Sequence, residues 1–430
     1  MTNIFIKTFG CSLNNSDSEL MAGLLKDAGY NIINNDKNAD LIIINSCTVK
    51  GIAENKLFHE INRYNKIQNK KIKIIIAGCV PQAEKNYLKT RLKDYSIVGT
   101  AKIINIVRVA EETLKGRIVQ LVEYEKNPRL NLPKIRKNKI IEIVPINEGC
   151  LSECTYCKTV QARGKLNSYN PKEIKKQIEN AIRDGCKEIW LTSQDTGVYG
   201  FDINTNLAKL LNSILEIKGD YKIRIGMMNP LLLKKFINEL INVYKNKNLF
   251  KFLHIPVQSG NNRILKLMNR GYTVENFIEI VDSFRKEIPD ITISTDIIVG
   301  FPTETDDEFM DTCNLIKEIK PSVLNISKFW PRPGTKAAKF KQVNSRIIKD
   351  RILKISNLFN NICVENNKKW IGWCGSVIID EVGKNNTFIG RNDYYKSIIL
   401  KGNYEIGDCV DVKIVQSSIH DLIAGTEKSQ

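Results

Sequence analysis

The sequence has no long hydrophobic run. Its longest uninterrupted apolar stretches, such as Leu41–Ile44 and Val377–Ile379, have the length of a short strand, whereas a membrane-spanning helix needs about 18–20 apolar residues. The first residues also lack the basic start, apolar core and small-residue cleavage site of a signal peptide. We therefore expect a cytoplasmic protein with no membrane partner.

Histidine is scarce as well, with three residues in a chain of 430, so a His-rich metal site is not expected. Cysteine is more frequent, with eleven residues. Without a secretory signal, this number argues against a disulfide framework and for metal binding or redox use. Sulfur would then supply the ligands, which favours an iron–sulfur cluster or zinc.

Negative charge falls well short of positive charge. Against 65 Lys and Arg the chain has 47 Asp and Glu, a formal net charge of +18. A basic chain of this size predicts a polyanionic partner, most often nucleic acid. The alternative is a solvated surface of scattered lysines. The length predicts two or three domains.

Residues 1–123 alternate short strands with helices, which predicts an α/β domain built on a doubly wound parallel sheet. The predicted strands are Asn3–Thr8, Leu41–Asn45, Ile72–Ala77 and Ser96–Val98, and the predicted helices are Asp17–Ala28, Ile52–Gln68, Ala83–Lys93 and Ile103–Lys115. Residues 124–139, with six Lys or Arg, one Glu and two prolines, are expected to form a basic linker.

Residues 140–335 repeat a strand-then-helix unit six times. The predicted strands are Ile140–Pro145, Glu188–Thr192, Lys222–Met227, Phe250–Pro256, Thr292–Val299 and Ser322–Phe329. Six units suffice for a partial (βα)6 barrel of the TIM type, in which chemistry lies at the carboxyl ends of the strands.

The rest of the chain divides into a helix and a small all-β unit. Residues 336–370 are predicted to form a basic connecting helix from Val343 to about Asn366. Residues 371–430 contain short apolar strands between Gly and Asn turns, which indicates a small β-barrel. Its predicted strands are Gly375–Asp380, Lys396–Leu400 and Cys409–Val415.

One cysteine group directly follows the first barrel strand. Cys150, Cys154 and Cys157 have the spacing CxxxCxxC, and three thiolates on one tight loop are able to ligate a single iron–sulfur cubane while leaving its fourth iron open. Zinc is the alternative, but zinc sites usually pair two CxxC units and no second pair is present. The five scattered cysteines are interpreted as core thiols: Cys186, Cys313, Cys363, Cys374 and Cys409.

A second group, Cys11, Cys47 and Cys79, is dispersed in sequence but alike in context. Each cysteine lies just past the carboxyl end of a predicted strand. In a parallel sheet these ends lie at one edge, where ligands bind. We therefore expect the three thiols to converge on a second iron–sulfur cluster; the alternative is three buried small thiols.

CxxxCxxC with Tyr156 before the last cysteine, at the first strand of a six-unit barrel, resembles the radical S-adenosylmethionine (SAM) superfamily. The resemblance implies that the open iron binds SAM and that a reduced cluster cleaves it. It also implies SAM contacts at the other strand ends. The candidates are Ser193, Gln194 and Asp195 for the amino end of SAM, Gln258 and Ser259 for the ribose, Asp296 near the adenine, and Arg163 and Arg270 for the SAM carboxylate or the cluster charge.

The stretches Thr8-Phe-Gly-Cys11, Asn45-Ser-Cys47-Thr-Val-Lys50 and Ala77-Gly-Cys79-Val-Pro-Gln82 resemble the N-terminal domain of the methylthiotransferases. That family joins this domain to a radical SAM barrel and an OB-like β-barrel called TRAM, which binds RNA. The resemblance implies two [4Fe–4S] clusters on six catalytic cysteines, two SAM molecules per turnover, an electron donor and a sulfur source.

The same motifs, with Asn147-Glu-Gly-Cys150 and Ala162-Arg-Gly164, are most similar to the archaeal and eukaryotic subgroup. That subgroup converts N6-threonylcarbamoyladenosine at tRNA position 37 to its 2-methylthio derivative. Alternatives are an enzyme acting on isopentenyladenosine in tRNA or on a ribosomal-protein aspartate, and a zinc-stabilised RNA-binding protein without catalysis.

The positive charge of the C-terminal region does not lie in the predicted RNA-binding barrel. Residues 371–430 carry six basic and eight acidic residues, a net charge of −2, whereas residues 331–370 carry ten and two, a net charge of +8. We therefore expect the connecting helix to supply much of the grip on tRNA, through Arg346, Lys349, Arg351 and Lys354. The alternative is a solvated helix face.

Overall fold

The protein is described here by a computed structural model covering residues 1–48, 51–66, 72–125 and 128–425, without the side chains of 51 and 52. The predicted end of the second helix at Gln68, part of the motif after Cys47, Lys126 of the linker and the last five residues lie outside the described residues. Within them, no helix is long and apolar enough to cross a membrane.

A six-stranded sheet forms the N-terminal domain, with strand order β2-β1-β3-β4-β5-β6 and every pairing parallel. The strands are β1 Asn3–Phe9, β2 Asn31–Ile33, β3 Leu41–Ser46, β4 Lys73–Gly78, β5 Ser96–Gly99 and β6 Gln120–Leu121. The helices are α1 Ser12–Asp27, α2 Gly51–Asn65, α3 Cys79–Ala83, α4 Lys85–Lys89 and α5 Ile106–Leu114.

Helices cover both faces of this sheet. Residues of α1 and α5, such as Met21 and Val109, pack on one face, and residues of α2, such as Leu57 and Ile61, pack on the other. This explains why β3 is buried along its length and apolar from Leu41 to Ile44 instead of alternating. The predicted doubly wound sheet is confirmed, but the single helix predicted over Ala83–Lys93 is wrong, because α3 and α4 divide that stretch at Glu84.

The central barrel has six main strands in two three-stranded parallel sheets, β11-β10-β7 and β12-β13-β14. A parallel bridge between Ile223 and Leu249 joins them, and no pairing closes β7 onto β14 in the described part of the chain, as in a partial barrel. The strands are β7 Ile141–Pro145, β8 Asn147–Glu148, β9 Asn167–Ser168, β10 Glu188–Thr192, β11 Lys222–Ile225, β12 Phe252–His254, β13 Thr292–Val299 and β14 Val323–Lys328.

Eight helices belong to the barrel region: α6 Thr159–Arg163, α7 Pro171–Arg183, α8 Leu207–Leu215, α9 Pro230–Leu233, α10 Ile237–Tyr244, α11 Asn262–Leu267, α12 Val274–Glu287 and α13 Asp306–Ile319. Apolar residues of these helices and one face of the strands form the largest core cluster of the molecule. Capping boxes at Thr273 and Thr305 begin α12 and α13 and satisfy backbone donors that would otherwise be unpaired. The six predicted strands are all found, within a few residues at their ends.

A 24-residue helix, α14 Ser345–Lys368, leads to a closed five-stranded barrel of order β15-β16-β17-β19-β18. Its strands are β15 Cys374–Val382, β16 Thr387–Arg391, β17 Ser397–Lys401, β18 Cys409–Ser417 and β19 Leu422–Ala424. The sequence patterns missed β16 and β19. Cys186, Cys313 and Cys363 are buried, as predicted, but Cys374 and Cys409 are exposed, so the prediction of core thiols is wrong for these two.

The C-terminal barrel sits at the amino ends of the central barrel strands. Tyr395, in the turn after β16, packs on Phe250 and Phe252 with ring centroids 4.8 and 5.1 Å apart. Ile378 of β15 packs on Ile141 and its neighbours at the start of β7. The carboxyl ends of the strands, where the cysteine loop begins, therefore face away from the C-terminal barrel.

Buried ion pairs fasten the N-terminal domain to the central barrel. Arg129, in the predicted linker, contacts Asp17 of α1 at 2.6 Å and Glu148 of β8 at 2.9 Å. Lys134 and Arg136 pair with Glu142 of β7. These three cations of the linker are thus paired with carboxylates of the protein, which leaves less of the linker's positive charge for a polyanion.

Candidate iron–sulfur and SAM site

The CxxxCxxC loop leaves β7 through β8 and turns at Gly149. Gly149 has φ +73°, and a β-carbon there would stand 2.1 Å from the Lys165 carbonyl oxygen, so only glycine fits. Backbone N–H groups then point at sulfur: Ser152 N lies 3.3 Å from Cys150 Sγ, and Thr159 N lies 3.3 Å from Cys157 Sγ. Donors aimed at sulfur stabilise the negative charge of cluster ligands.

Arg270 completes the surroundings of this loop. Its Nη1 lies 3.3 Å from Cys154 Sγ, and its Nη2 donates to Asn229 Oδ1 and to the Pro256 carbonyl oxygen, both at 3.3 Å. Tyr272 Oη accepts from its Nε at 3.0 Å. The guanidinium is buried and fully positioned, so a positive charge is fixed against the cysteine sulfur.

The predicted residues at the end of β10 divide into two roles. Gln194 Oε1 accepts from Gly149 N at 2.8 Å and so holds the cysteine loop against β10. Asp195 Oδ1 accepts from the backbone N–H of Asn229 and of Gly197, each at 3.0 Å, while Oδ2 is buried with no partner among the described residues. Burial raises the pKa of Asp195 to about 6. Ser193 Oγ accepts from Asp195 N, and its exposure is intermediate.

The residues predicted on the other strand ends have different surroundings. Gln258 has φ +77° and bridges to β13 through its backbone, donating to the Asp296 carbonyl oxygen at 2.8 Å. Asp296 Oδ1 lies 3.1 Å from His254 Nε2 and 2.6 Å from Asn325 Nδ2. Ser259 is fully buried, and its hydroxyl faces Thr312 of α13 at 3.5 Å.

The second cysteine group is brought together at one edge of the N-terminal sheet. Cys11 immediately precedes α1, Cys47 follows β3, and Cys79 begins α3 directly after β4. Cys47 and Arg163 lie close to the Cys79 thiol, and their influence, that of Cys47 first, lowers the pKa of Cys79 to about 6. Cys11 lies within electrostatic range of Cys79 and 3.3 Å from Asn14 Oδ1.

Arg163 therefore lies beside the N-terminal cysteine group rather than in the CxxxCxxC loop's own surroundings. It is buried, with Nη2 2.6 Å from Asp17 Oδ2 and Nη1 3.4 Å from Glu148 Oε1. Of the two roles predicted for it, the geometry supports charge balance at the cysteines. The ion pair between Arg163 and Asp17 connects two domains, because Asp17 belongs to α1 and Arg163 to α6 of the barrel.

Several residues of the site were missed from the sequence. Asn229 lies between β11 and α9 and caps that helix. Its Oδ1 accepts from Arg270, and its Nδ2 donates to Ser152 Oγ at 2.9 Å. Asn14 and Asn45, both fully buried, hydrogen-bond at 3.2 Å behind Cys11 and Cys47. A search for polar residues at every strand end would have found Asn229 and Asn45.

The arrangement bears on which metal the cysteines fit. In the parts of the chain that the structure describes, no group of three or more His, Cys, Asp or Glu side chains is placed to hold one metal ion. Zinc needs its ligands around a single centre, whereas each cysteine of a cubane binds a different iron. Three thiols on one loop, with N–H and arginine donors at their sulfurs, match the ligand chemistry of an iron–sulfur cluster.

Three family models match successive parts of the chain. Residues 3–99 match an uncharacterised protein family designated UPF0004, residues 144–316 match the radical SAM superfamily, and residues 376–424 match the TRAM domain. With the partial barrel and its CxxxCxxC loop, these matches make the chain a radical SAM protein. The radical SAM match implies S-adenosylmethionine and an iron–sulfur cluster as its cofactors.

Relatives identified by sequence show to which family of radical SAM proteins the chain belongs. The chain is 42% identical to the probable threonylcarbamoyladenosine tRNA methylthiotransferase of Pyrococcus horikoshii, over 93% of this chain and 94% of that protein. It is 43% identical to the human threonylcarbamoyladenosine tRNA methylthiotransferase, over 97% of this chain and 72% of that protein. The chain belongs to this family of transferases.

Solved structures support the fold alone, because their sequence identity is low. TsrM, a radical SAM methyltransferase from Kitasatospora setae, matches 79% of this chain and 75% of its own length with a TM-score of 0.56 and 12% identity. The cobalamin-dependent radical enzyme OxsB matches 84% of this chain and 56% of its own length, with a TM-score of 0.51 and 12% identity.

Proposed function

We propose that this protein adds a methylthio group to C2 of N6-threonylcarbamoyladenosine at position 37 of tRNA. The observation that carries the proposal is the pair of cysteine groups, one in each of two domains, packed together through Arg163 and Glu148. The names of the relatives, which share about two-fifths of the sequence over nearly the whole chain, support this nucleoside as the substrate.

The six cysteines hold two [4Fe–4S] clusters in this proposal. Cys150, Cys154 and Cys157 hold one and leave an iron open for SAM, and Cys11, Cys47 and Cys79 hold the other. When bound, the clusters and two SAM molecules per turnover supply the radical, the sulfur and the methyl group. An electron donor and a sulfur source are required partners.

The polypeptide contributes position and charge. Arg270 holds positive charge against Cys154, and Arg163 does the same at Cys79, so each site has a buried cation to balance an anionic cluster. Gln194 fixes the loop of Cys150, and Asp195 presents a buried carboxyl oxygen beside it. Gln258 and Asp296 line the barrel further round, where we place the nucleoside part of SAM.

tRNA is the proposed macromolecular partner, and its modified base must leave the anticodon-loop stack to reach the two cysteine groups. The TRAM barrel and the exposed cations Arg346, Lys349 and Lys354 of α14 are the proposed phosphate contacts. Arg351, predicted among them, is instead buried in ion pairs with Glu304 and Asp306, at 2.8 and 2.7 Å. It belongs to the packing of α14 rather than to RNA binding.

Anaerobic reconstitution tests the proposal. The protein, loaded with iron and sulfide, reduced and given SAM and threonylcarbamoylated tRNA, should hold about eight irons per chain and yield the 2-methylthio nucleoside by mass spectrometry. Parallel reactions with isopentenyladenosine tRNA and with ribosomal protein test the two related substrates. Zinc without a brown chromophore would instead support an RNA-binding protein without catalysis.

A further inference from the structure

The loop after β14, Pro331-Arg332-Pro333-Gly334, is a rigid element between the two cysteine groups. Two prolines fix its backbone, and Thr335 closes it by donating from N and Oγ1 to the Arg332 carbonyl oxygen, at 3.1 and 2.8 Å. Ala337 N donates to the Thr155 carbonyl oxygen at 2.9 Å, inside the CxxxCxxC loop. The position of Arg332 is therefore tied to that of the cysteines.

The guanidinium of Arg332 is buried but incompletely paired. The residue is 4% exposed. Its Nη1 lies 3.3 Å from Glu54 Oε2 on α2 of the N-terminal domain, a carboxylate whose other oxygen accepts from Tyr87 Oη at 2.7 Å. Its Nη2 is buried with no hydrogen-bond partner among the described residues. A buried charged donor without a partner destabilises the folded protein, so an anionic ligand that accepts this hydrogen bond would be bound favourably.

The negative groups around Arg332 place it between the two sites. Burial lowers its pKa, while Glu54, Cys47, Glu84 and Cys157 oppose that change. Cys47 belongs to the N-terminal cysteine group and Cys157 to the CxxxCxxC loop. The Arg332 guanidinium, with one N–H unpaired, thus lies within electrostatic range of both cysteine groups, and a base that is reached from both sites must lie near it.

We propose that Arg332 binds the carboxylate of the threonylcarbamoyl group and so selects this substrate; the inference rests on the function proposed above. A guanidinium fork matches a carboxylate in shape and charge. The isopentenyl group is purely apolar, whereas the threonylcarbamoyl group ends in a carboxylate. Arg332 is thus a specificity-determining residue, and its loss should affect charged and uncharged versions of the base differently.

The test compares two anticodon stem-loops, one with threonylcarbamoyladenosine and one in which its carboxylate is replaced by a carboxamide. Reconstituted wild-type protein and the Arg332→Gln variant are titrated with each RNA, and single-turnover thiolation is measured. The wild type should prefer the carboxylate by about 10- to 100-fold, since hydrogen bonds to charged groups contribute about 1.5–3 kcal/mol. Arg332→Gln should bring the two RNAs within about two-fold of each other.

The control variant is Arg183→Gln, which removes the same charge from the exposed end of α7, before β10 begins and therefore at the opposite end of the barrel. It should keep the wild-type preference. Arg332→Lys keeps the charge without the fork and should retain a smaller preference for the carboxylate. This second variant, with the wild-type comparison, tests the proposal even if Arg332→Gln folds poorly.

Two results would overturn the inference: a wild type that treats both RNAs equally, or an Arg332→Gln variant that weakens both by the same factor. Neither result touches the proposed function as long as the wild type still thiolates threonylcarbamoyladenosine. Failure of the loaded wild type to thiolate either RNA would instead contradict the proposed function itself.

Discussion

At the scale of single residues, the neighbours of a cysteine distinguish a proposed cluster ligand from a surface thiol. Cys47 is buried beside Cys79, and a neighbouring arginine lies against that pair. Cys374 is exposed, and its sulfur lies 3.6 Å from a backbone carbonyl oxygen of its own turn. Composition alone does not distinguish these two cysteines, whereas the thiol and the guanidinium beside Cys47 do.

Replacing Cys47 with alanine should remove one cluster and leave the other. Iron should fall from about eight to about four per chain, SAM cleavage to 5′-deoxyadenosine should persist, and thiolation should be abolished. Iron analysis and chromatography of the products provide the measurements. Cys374→Ala serves as the matched control and should change none of the three. Loss of SAM cleavage in Cys47→Ala would contradict the proposal that the cluster of Cys150, Cys154 and Cys157 cleaves SAM independently of the other one.

The backbone geometry at Gly149 predicts that no larger residue is tolerated there. Gly149→Ala places a methyl group against the Lys165 carbonyl oxygen, whereas at Gly185, with φ +91°, nothing lies within 4 Å of such a group. We expect Gly149→Ala to distort the CxxxCxxC loop and lower iron to about four per chain. Gly185→Ala should lower the stability only by the left-handed backbone cost of about 1–2 kcal/mol and should keep the full iron content. Equal iron in both variants would refute the clash argument.

At the scale of elements, α14 separates its cations into two populations. Arg351 is buried and paired with Glu304, while Arg346 and Lys349 are exposed on the same helix. Removing Arg351 would leave a buried carboxylate unpaired, which costs about 3–5 kcal/mol. A charge count over residues 331–370 therefore overstates what is available to RNA.

The exposed cations of α14 should govern the salt dependence of tRNA binding. Arg346→Gln with Lys349→Gln should reduce the slope of log affinity against log salt by about 1–2, because each phosphate contact contributes about one counterion. The control pair, Lys172→Gln with Lys176→Gln, removes two exposed charges from α7. Filter-binding titrations at several salt concentrations give both slopes, and an unchanged slope in the α14 variant would rule out this contact.

At the scale of the whole molecule, the interface between the central and C-terminal barrels contains a buried acid. Glu188 of β10 is fully buried, and Trp190 Nε1 donates to its Oε2 at 2.8 Å. Burial, and then the nearby Asp380, raise its pKa to about 7. Arg391 and Arg224 oppose this rise without reversing it.

This acid predicts a dependence of stability on pH. Because the pKa of Glu188 in the folded state lies above its ordinary value of 4.5, the folded protein keeps a proton that the unfolded chain loses. The free energy of unfolding should therefore fall as pH rises from about 4.5 to 7, by up to about 3 kcal/mol. Glu188→Gln should flatten this fall.

Urea denaturation at several pH values between 5.5 and 8 measures the effect. The exposed Glu216→Gln serves as the control, since its carboxylate lies at the surface, and it should follow the wild-type curve. Parallel curves for the wild type and Glu188→Gln would show that Glu188 does not carry the dependence.

The sequence by itself determined the order of domains and the main strands, and it singled out the six cysteines as candidate ligands. These features depend on local periodicity and on residues placed directly after strands. It missed the short edge strands β2 and β6, whose two or three residues carry too little pattern. Only the tertiary structure decided that Arg163 meets Cys79, that Arg351 is buried, and that Arg332 lies between the two cysteine groups. Partners of buried charges are set by contacts between distant segments, and no local spacing encodes them.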